Sequence, residues 1–439
     1  MMRMSPLFVI AATLAVITAG AAELTATVRK QNVDTYAEPN LQSAKVAELK
    51  HDATVGITAQ RGLWYELKLA DGRTAFVRIN DVRVNYGGTE DSSANLRALT
   101  SGKAGAGRVS ETAGVRGIDE SDLQSAGMNQ AELDAMTNNR VDTSAAQSYA
   151  GEHGWQATTV AFESEAKAGK GAKSSSADSS GAMQGASGML GSLGSKVGSF
   201  LGTANKVAPR PEEELAAEEL ALGPQIAGRI LGARPLWKDA AAQQRVNAIG
   251  RWVASQTKRP DLPWAFGVID TPEINAFAAP GGYVLVTRGL YELVSSDSEL
   301  AAVLGHEISH CVERDHYSVI RKQQVASVGK DMLSEKIPTG TNVAEQFARQ
   351  YVEEHGATIM LTSLDRQAEY RADKAAEIYV ARSGMNPMAL YSVLQKMASL
   401  GTQSASLAAL YKTHPPLDAR MDRIDERHYE GLKAYTGRE

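Results

Sequence analysis

His306, Glu307 and His310 lie in the run Gly305-His-Glu-Ile-Ser-His-Cys311, two imidazoles four residues apart with an acid beside the first. On an α-helix that spacing separates the rings by about 40° around the axis and about 6 Å along it, so both reach one metal ion. A metal-bound water has its pKa lowered toward about 7, and a neighbouring carboxylate can take its proton. The chemistry on offer is metal-assisted hydrolysis of a peptide bond, with Glu307 as the base.

Hydrolytic zinc normally takes three protein ligands and a water, so a third donor is required. Two candidates compete. His316 completes the spacing HExxHxxExxH, but Glu313 stands where that longer motif needs a helix-breaking glycine. Without the break, six further residues carry His316 about 120° away from His310. Glu369, in Ser363-Leu-Asp-Arg-Gln-Ala-Glu-Tyr-Arg-Ala-Asp373, is four residues before Asp373 and shares its helix face. One acid can ligate a metal while the other orients a ligand histidine. Spacing alone favours a solvated acidic face, given Arg366, Arg371 and Lys374 nearby.

The elements that must position these groups are legible. Ser296 three residues before Glu299 reads as a capping box, and Leu300, Leu304, Ile308 and Cys311 form an apolar stripe behind the histidines. The Glu369 segment reads as a helix starting near Ser363 and stopping near Gly384, before Pro387. Val246 to Ser255 is an amphipathic helix, Trp264 to Ile269 and Tyr283 to Thr287 are strands, and helical pattern resumes from Pro211. Residues 209–439 are expected to form an α+β, mainly helical domain, a few strands over a helical body.

Four stretches in order carry a family resemblance: Glu273-Ile-Asn-Ala-Phe through Arg288-Gly-Leu290, His306-Glu-Ile-Ser-His310, Glu369-Tyr-Arg-Ala-Asp373 and Thr413-His-Pro-Pro-Leu-Asp-Ala-Arg420. Together they resemble metallopeptidase family forty-eight, the gluzincin family of HtpX-like and CaaX-prenyl-protease-like enzymes. The resemblance implies one zinc ion per chain on His306, His310 and Glu369, Glu307 as general base, and Asp373 orienting a ligand histidine. It further implies that Asn275 and His414 contact substrate and the developing oxyanion, and that Arg420 has a structural or ion-pair role. In the family the strand matching Tyr283 to Thr287 lies at the cleft edge, where an extended peptide adds as another strand. Arg314-Asp315-His316 is one residue longer than the Arg-His pair of several bacterial relatives.

Arg3, an apolar run from Pro6 to about Thr18 and Ala19-Gly-Ala-Ala22 read as an export signal, residues 1–22, cut after Ala21 or Ala22. Cys311 is the single cysteine, which excludes an internal disulfide, and with no cysteine after the signal-like run the N-terminus is not expected to carry a lipid anchor. Its place on the apolar stripe reads as a buried small hydrophobe. No second apolar run reaches about 18 residues, so no transmembrane segment is expected after signal cleavage. The expected compartment is periplasmic or secreted. A net charge of −5 over 439 residues offers no basic patch for nucleic acid.

Residues 23–86 alternate in five short strand-like runs and resemble a bacterial SH3-like domain, a small all-β barrel whose relatives bind peptides or cell-wall material. Residues 87–208 read as a Gly/Ser/Ala-rich linker, densest at Tyr86 to Ser110 and Ala168 to Gly202, enclosing a helical segment near 111–163. The whole reads as an exported zinc metalloendopeptidase with unfolded or misfolded envelope polypeptides as substrates. The alternatives are an envelope chaperone or assembly factor whose cleft holds client strands, and a cell-wall binding protein.

Overall fold

A computed structural model of the chain describes residues 24–85, 118–160, 212–327, 341–401, 404–426, 432 and 434–436. The expected signal and the two glycine-rich connectors lie outside these residues.

The N-terminal part is one antiparallel sheet of β1 (Leu24–Val28), β2 (Asn32–Tyr36), β3 (Lys45–Lys50), β4 (Thr54–Arg61), β5 (Trp64–Lys68), β6 (Thr74–Arg78) and β7 (Val82–Asn85), ordered β3-β2-β6-β5-β4-β1-β7. Period-two patterning drives it: Leu24, Ala26 and Val28 face inward, as do Val55 and Ile57. The strands β2 and β7 go beyond the five expected from sequence. In β2 the inward position after Val33 is Thr35, whose hydroxyl bonds the Ala47 carbonyl at 3.0 Å, so an apolar alternation does not mark it.

Residues 118–160 form α1 (Glu120–Ser125), α2 (Gln130–Asn138) and α3 (Thr143–Glu152), each opened by an Asp or Asn whose side chain accepts a first-turn amide. They dock on the helical body: Leu123, Leu133 and Met136 share a core with Leu222, Ile226 and Ile230 of α4 (Glu212–Ala233). The amphipathic helix expected at 246–255 is longer, α5 (Ala240–Ala254), because Asp239 caps it.

A second sheet contains β8 (Ala265–Ile269), β9 (Ala276–Ala279) and β10 (Tyr283–Thr287), with β10 central, parallel to β8 and antiparallel to β9. The strand at the cleft edge is therefore β9 rather than the Tyr283 to Thr287 strand. The Tyr283 to Thr287 strand is instead the central one, hydrogen-bonded to a neighbour along both of its edges.

After α6 (Arg288–Leu293) comes α7 (Asp297–Val312), in which every residue from Ser298 to Val312 is buried. It is followed by α8 (Asp315–Ser327), α9 (Thr341–His355), α10 (Arg366–Arg382), α11 (Ala389–Ser399), α12 (Ala408–Thr413) and α13 (Leu417–Glu426). The helix α10 starts at an Asp365 cap, not at Ser363, and crosses α7 closely. A Cβ at Gly305 would lie 3.2 Å from the Cα of Ala376. The N-terminal sheet and the helical body share one core, in which Tyr65, Ile79 and Val82 join Tyr391 and Leu394. No helix of the described residues is long and apolar enough to cross a membrane.

Candidate active site

Ser296 opens α7 by accepting the Glu299 amide at 3.2 Å. The reciprocal half of the expected capping box is absent: the Glu299 carboxylate accepts the amide of Ser295 at 2.7 Å instead. Two turns on, the Nε2 atoms of His306 and His310 face each other at 3.2 Å. Glu369, from α10, places Oε2 3.5 Å from His306 Nε2 and Oε1 3.7 Å from His310 Nε2. His414 ends α12 and brings its Nε2 to 3.6 Å from Glu369 Oε2.

Four donor groups, His306, His310, Glu369 and His414, thus lie with their ligand atoms within 4.8 Å of one another. Ligands about 2.0–2.1 Å from a tetrahedral ion stand about 3.3 Å apart, so the observed separations suit a shared metal. Glu369 Oε2 is buried without a hydrogen-bond partner, the state expected of an oxygen meant for a cation. Imidazole and carboxylate donors in this number fit zinc and its neighbours among the divalent metals.

Each helical imidazole is oriented from behind. His306 Nδ1 meets Asp373 Oδ1 at 2.9 Å, and Arg420 clamps Asp373 with Nη2 at 2.6 Å from Oδ1 and Nε at 3.0 Å from Oδ2. With its Nδ1 proton on Asp373, His306 turns the Nε2 lone pair toward the cluster. Burial opposes the charged ring, yet the Asp373 and Glu369 carboxylates outweigh it and raise the His306 pKa to about 9, so a cation binding at Nε2 displaces a proton from it. Burial would raise Asp373, but Arg420 and His306 hold it far below the ordinary carboxylate range. Glu369 is likewise held low, against burial, by the His414, His306 and His310 rings.

The partner of the second imidazole is a residue not foreseen from sequence. His310 Nδ1 meets Asp315 Oδ2 at 2.9 Å, and Arg371 of α10 bonds the other oxygen of Asp315. Asp315 reaches this position because α7 stops at Val312 and Arg314 adopts a left-handed φ of +57°. Glu219, fully buried on α4, holds that turn by accepting Arg314 Nε at 2.6 Å and both Arg259 Nη atoms at 2.8 Å. The helix therefore breaks without a glycine at 313, contrary to the continuous helix assumed for His316. His316 still lies outside the donor cluster, its ring centroid 5.9 Å from that of His310. Burial lowers its pKa to about 4, and its Nδ1 is unpartnered.

Glu307 is buried and lines the cleft beside His310, Glu369 and His414. Burial raises its pKa, with the charges of His306 and His310 acting the other way, which suits a group that must accept and release a proton. One wall of the cleft is β9 and the other includes Met360 and Leu364. Asn275 immediately precedes β9, and its buried Oδ1 has no partner. His414 takes its place among the donors with Nδ1 2.8 Å from the Thr413 hydroxyl, and burial lowers its pKa to about 3. Cys311 is buried against β9, its thiol donating to the Ala279 carbonyl at 3.3 Å, and burial raises its pKa strongly.

Residues 240–428 match the model of Peptidase family M48. Among curated proteins, the "Beta-barrel assembly-enhancing protease" of Escherichia coli (strain K12) is 28% identical over 211 residues, covering 46% of this chain and 42% of that protein. The "Mitochondrial metalloendopeptidase OMA1" of Arabidopsis thaliana is 27% identical over 154 residues, 35% of this chain and 29% of the relative. "Metalloprotease YcaL" of Escherichia coli (strain K12) is 24% identical over 169 residues, 38% and 64% of the two chains. The chain thus spans less than half the length of the first of these relatives.

Proposed function

Given that residues 240–428 form a domain of peptidase family M48, we propose that the chain is a zinc-dependent metalloendopeptidase acting on unfolded polypeptides of the cell envelope. The observation that carries this reading is the partnerless buried oxygen of Glu369 facing His306 and His310, with the elevated Glu307 carboxyl alongside. Zinc, when bound, supplies Lewis-acid polarisation of the scissile carbonyl and acidifies water. Glu307 takes the proton of the attacking water and delivers it to the departing amine. An extended substrate hydrogen-bonds along β9, whose backbone recognition tolerates many sequences. Asn275 and His414 are read as contacts to the substrate and its developing negative charge.

The envelope as the place of action rests on the signal-like N-terminus and on a relative named for enhancing β-barrel assembly. A peptide or cell-wall ligand for the N-terminal sheet follows from its sequence resemblance alone. A second reading is favoured by the fourth donor. With His414 also on the ion, no position is left for water, and the cleft holds strands without cutting them.

Purified protein loaded with one zinc per chain should degrade an unfolded model substrate, and Glu307→Gln should lower turnover by about 100-fold or more with zinc content unchanged. Loaded wild-type protein that retains the substrate uncut would overturn the protease and support the holding reading.

A further inference from the structure

The N-terminal sheet touches the metallopeptidase body at residues that lead to the metal site by two routes. On the first, Gln60 of β4 donates to the Ser392 hydroxyl at 3.0 Å, and that hydroxyl donates to Glu299 Oε1 at 2.6 Å. Lys396, fully buried, donates to Glu299 Oε2 at 2.7 Å and to Ser295 Oγ at 2.6 Å. Glu299 stands seven residues before His306 on α7, about 10 Å along the axis. The sheet thereby helps to fix the first turn of the helix that carries both imidazoles.

The second route runs through β7. Its backbone is locked to α11, with the Val84 amide donating to Gln395 Oε1 at 2.9 Å and Gln395 Nε2 donating to the Ile79 carbonyl at 3.1 Å. Between these anchors Arg83 projects onto α13, giving Nη1 to Asp422 at 2.6 Å and Nη2 to Asp425 at 2.9 Å. Tyr391 closes the group, its hydroxyl donating to Asp425 at 3.1 Å. The same ten-residue helix carries Arg420, whose bidentate grip on Asp373 orients His306. A planar guanidinium bonded to two acids on one short helix constrains both its position and its rotation.

We propose that the N-terminal sheet is an intramolecular clamp on the metal centre, with Arg83 as a positioning residue that sets α13, and through Arg420 and Asp373 the His306 ring, in the geometry that grips the ion. This deepens the metallopeptidase reading and rests on it. The sheet is a part of the site's scaffold, and the competence of the protease depends on its being docked.

The test uses the full chain and zinc affinity measured by chelator competition, well below the thermal midpoint of each variant. Groups that orient metal ligands are worth 10–100-fold in affinity, so Arg83→Met should weaken zinc binding about 10-fold, and Arg83→Lys should recover part of it. Asp422→Asn, at a more exposed position that spares the fold, should weaken it in the same direction, and Lys45→Ala on the far edge of the sheet should leave it unchanged. If Arg83→Met does not fold, Asp422→Asn and Arg83→Lys decide. Wild-type protein that takes up no zinc would overturn the metallopeptidase reading and this inference with it. Wild-type affinity retained in the Arg83 and Asp422 variants would overturn the clamp alone.

Discussion

Both imidazoles of α7 are backed by a carboxylate that is itself held by an arginine: Asp373 with Arg420 behind His306, and Asp315 with Arg371 behind His310. The arrangement keeps each ring in the tautomer that leaves Nε2 free for a cation. Asp315→Asn is therefore expected to reduce zinc affinity by about 10–100-fold with little change in secondary structure, read by chelator competition and circular dichroism. Unchanged affinity would mean that packing alone aims His310. The i, i+4 spacing put Asp373 on the helix face of Glu369, but its role behind a ligand histidine came from the family resemblance, since spacing alone favoured a solvated acidic face. Asp315 carried no such signal, because its position depends on a left-handed residue, Arg314, that no glycine announces. The extra residue between Arg314 and His316, noticed as a departure from relatives, is this acid. Likewise His414 was tied to the site by resemblance, but its closeness to Glu369 depends on how α12 is packed, which local spacing does not encode.

At the level of helices and strands, the site exists because α7 and α10 approach closely at Gly305 and Ala376. Gly305→Val would push a branched side chain into backbone, at a cost of about 1–3 kcal/mol, and would drive Glu369 away from the imidazoles. Lower stability in urea and weaker metal binding should appear together; a loss of stability alone would mean that the contact merely packs. The cap and apolar stripe of α7 were readable, but its burial on the opposite face was not, since polar residues at helical spacing signal solvent unless a partner covers them. The placing of the Tyr283 to Thr287 strand at the cleft edge rests on family resemblance and not on its own residues. Both β9 and β10 are buried along their whole length, so the hydrophobic pattern does not tell edge from centre; the pairing order does.

Across the whole molecule, the contacts that unite the sheet with the body join residues such as Gln60 and Ser392, 332 positions apart, and pairing at that range leaves no local signature. Strand content was foreseeable from alternation, whereas docking was not. The buried Lys396–Glu299 pair is the seam's charged centre. Burial alone would raise the Glu299 pKa, but Lys396 and its other donors hold it below the ordinary 4.5. Its contribution to stability is thus complete above pH 4.5 and lost as acid protonates it. Lys396→Met leaves a buried carboxylate without its cation and should cost about 3–5 kcal/mol at pH 7, a gap from wild type that narrows as the pH approaches 4.5. Urea titrations at the two pH values check both the size and the sign. That seam fixes the start of α7, a helix shielded along nearly its whole length. Small zinc modules acquire their shape only when the ion arrives. Here the candidate ligands stand on helices held by burial and by contacts with the N-terminal sheet, so stripping metal with a chelator is expected to leave the far-UV circular dichroism unchanged.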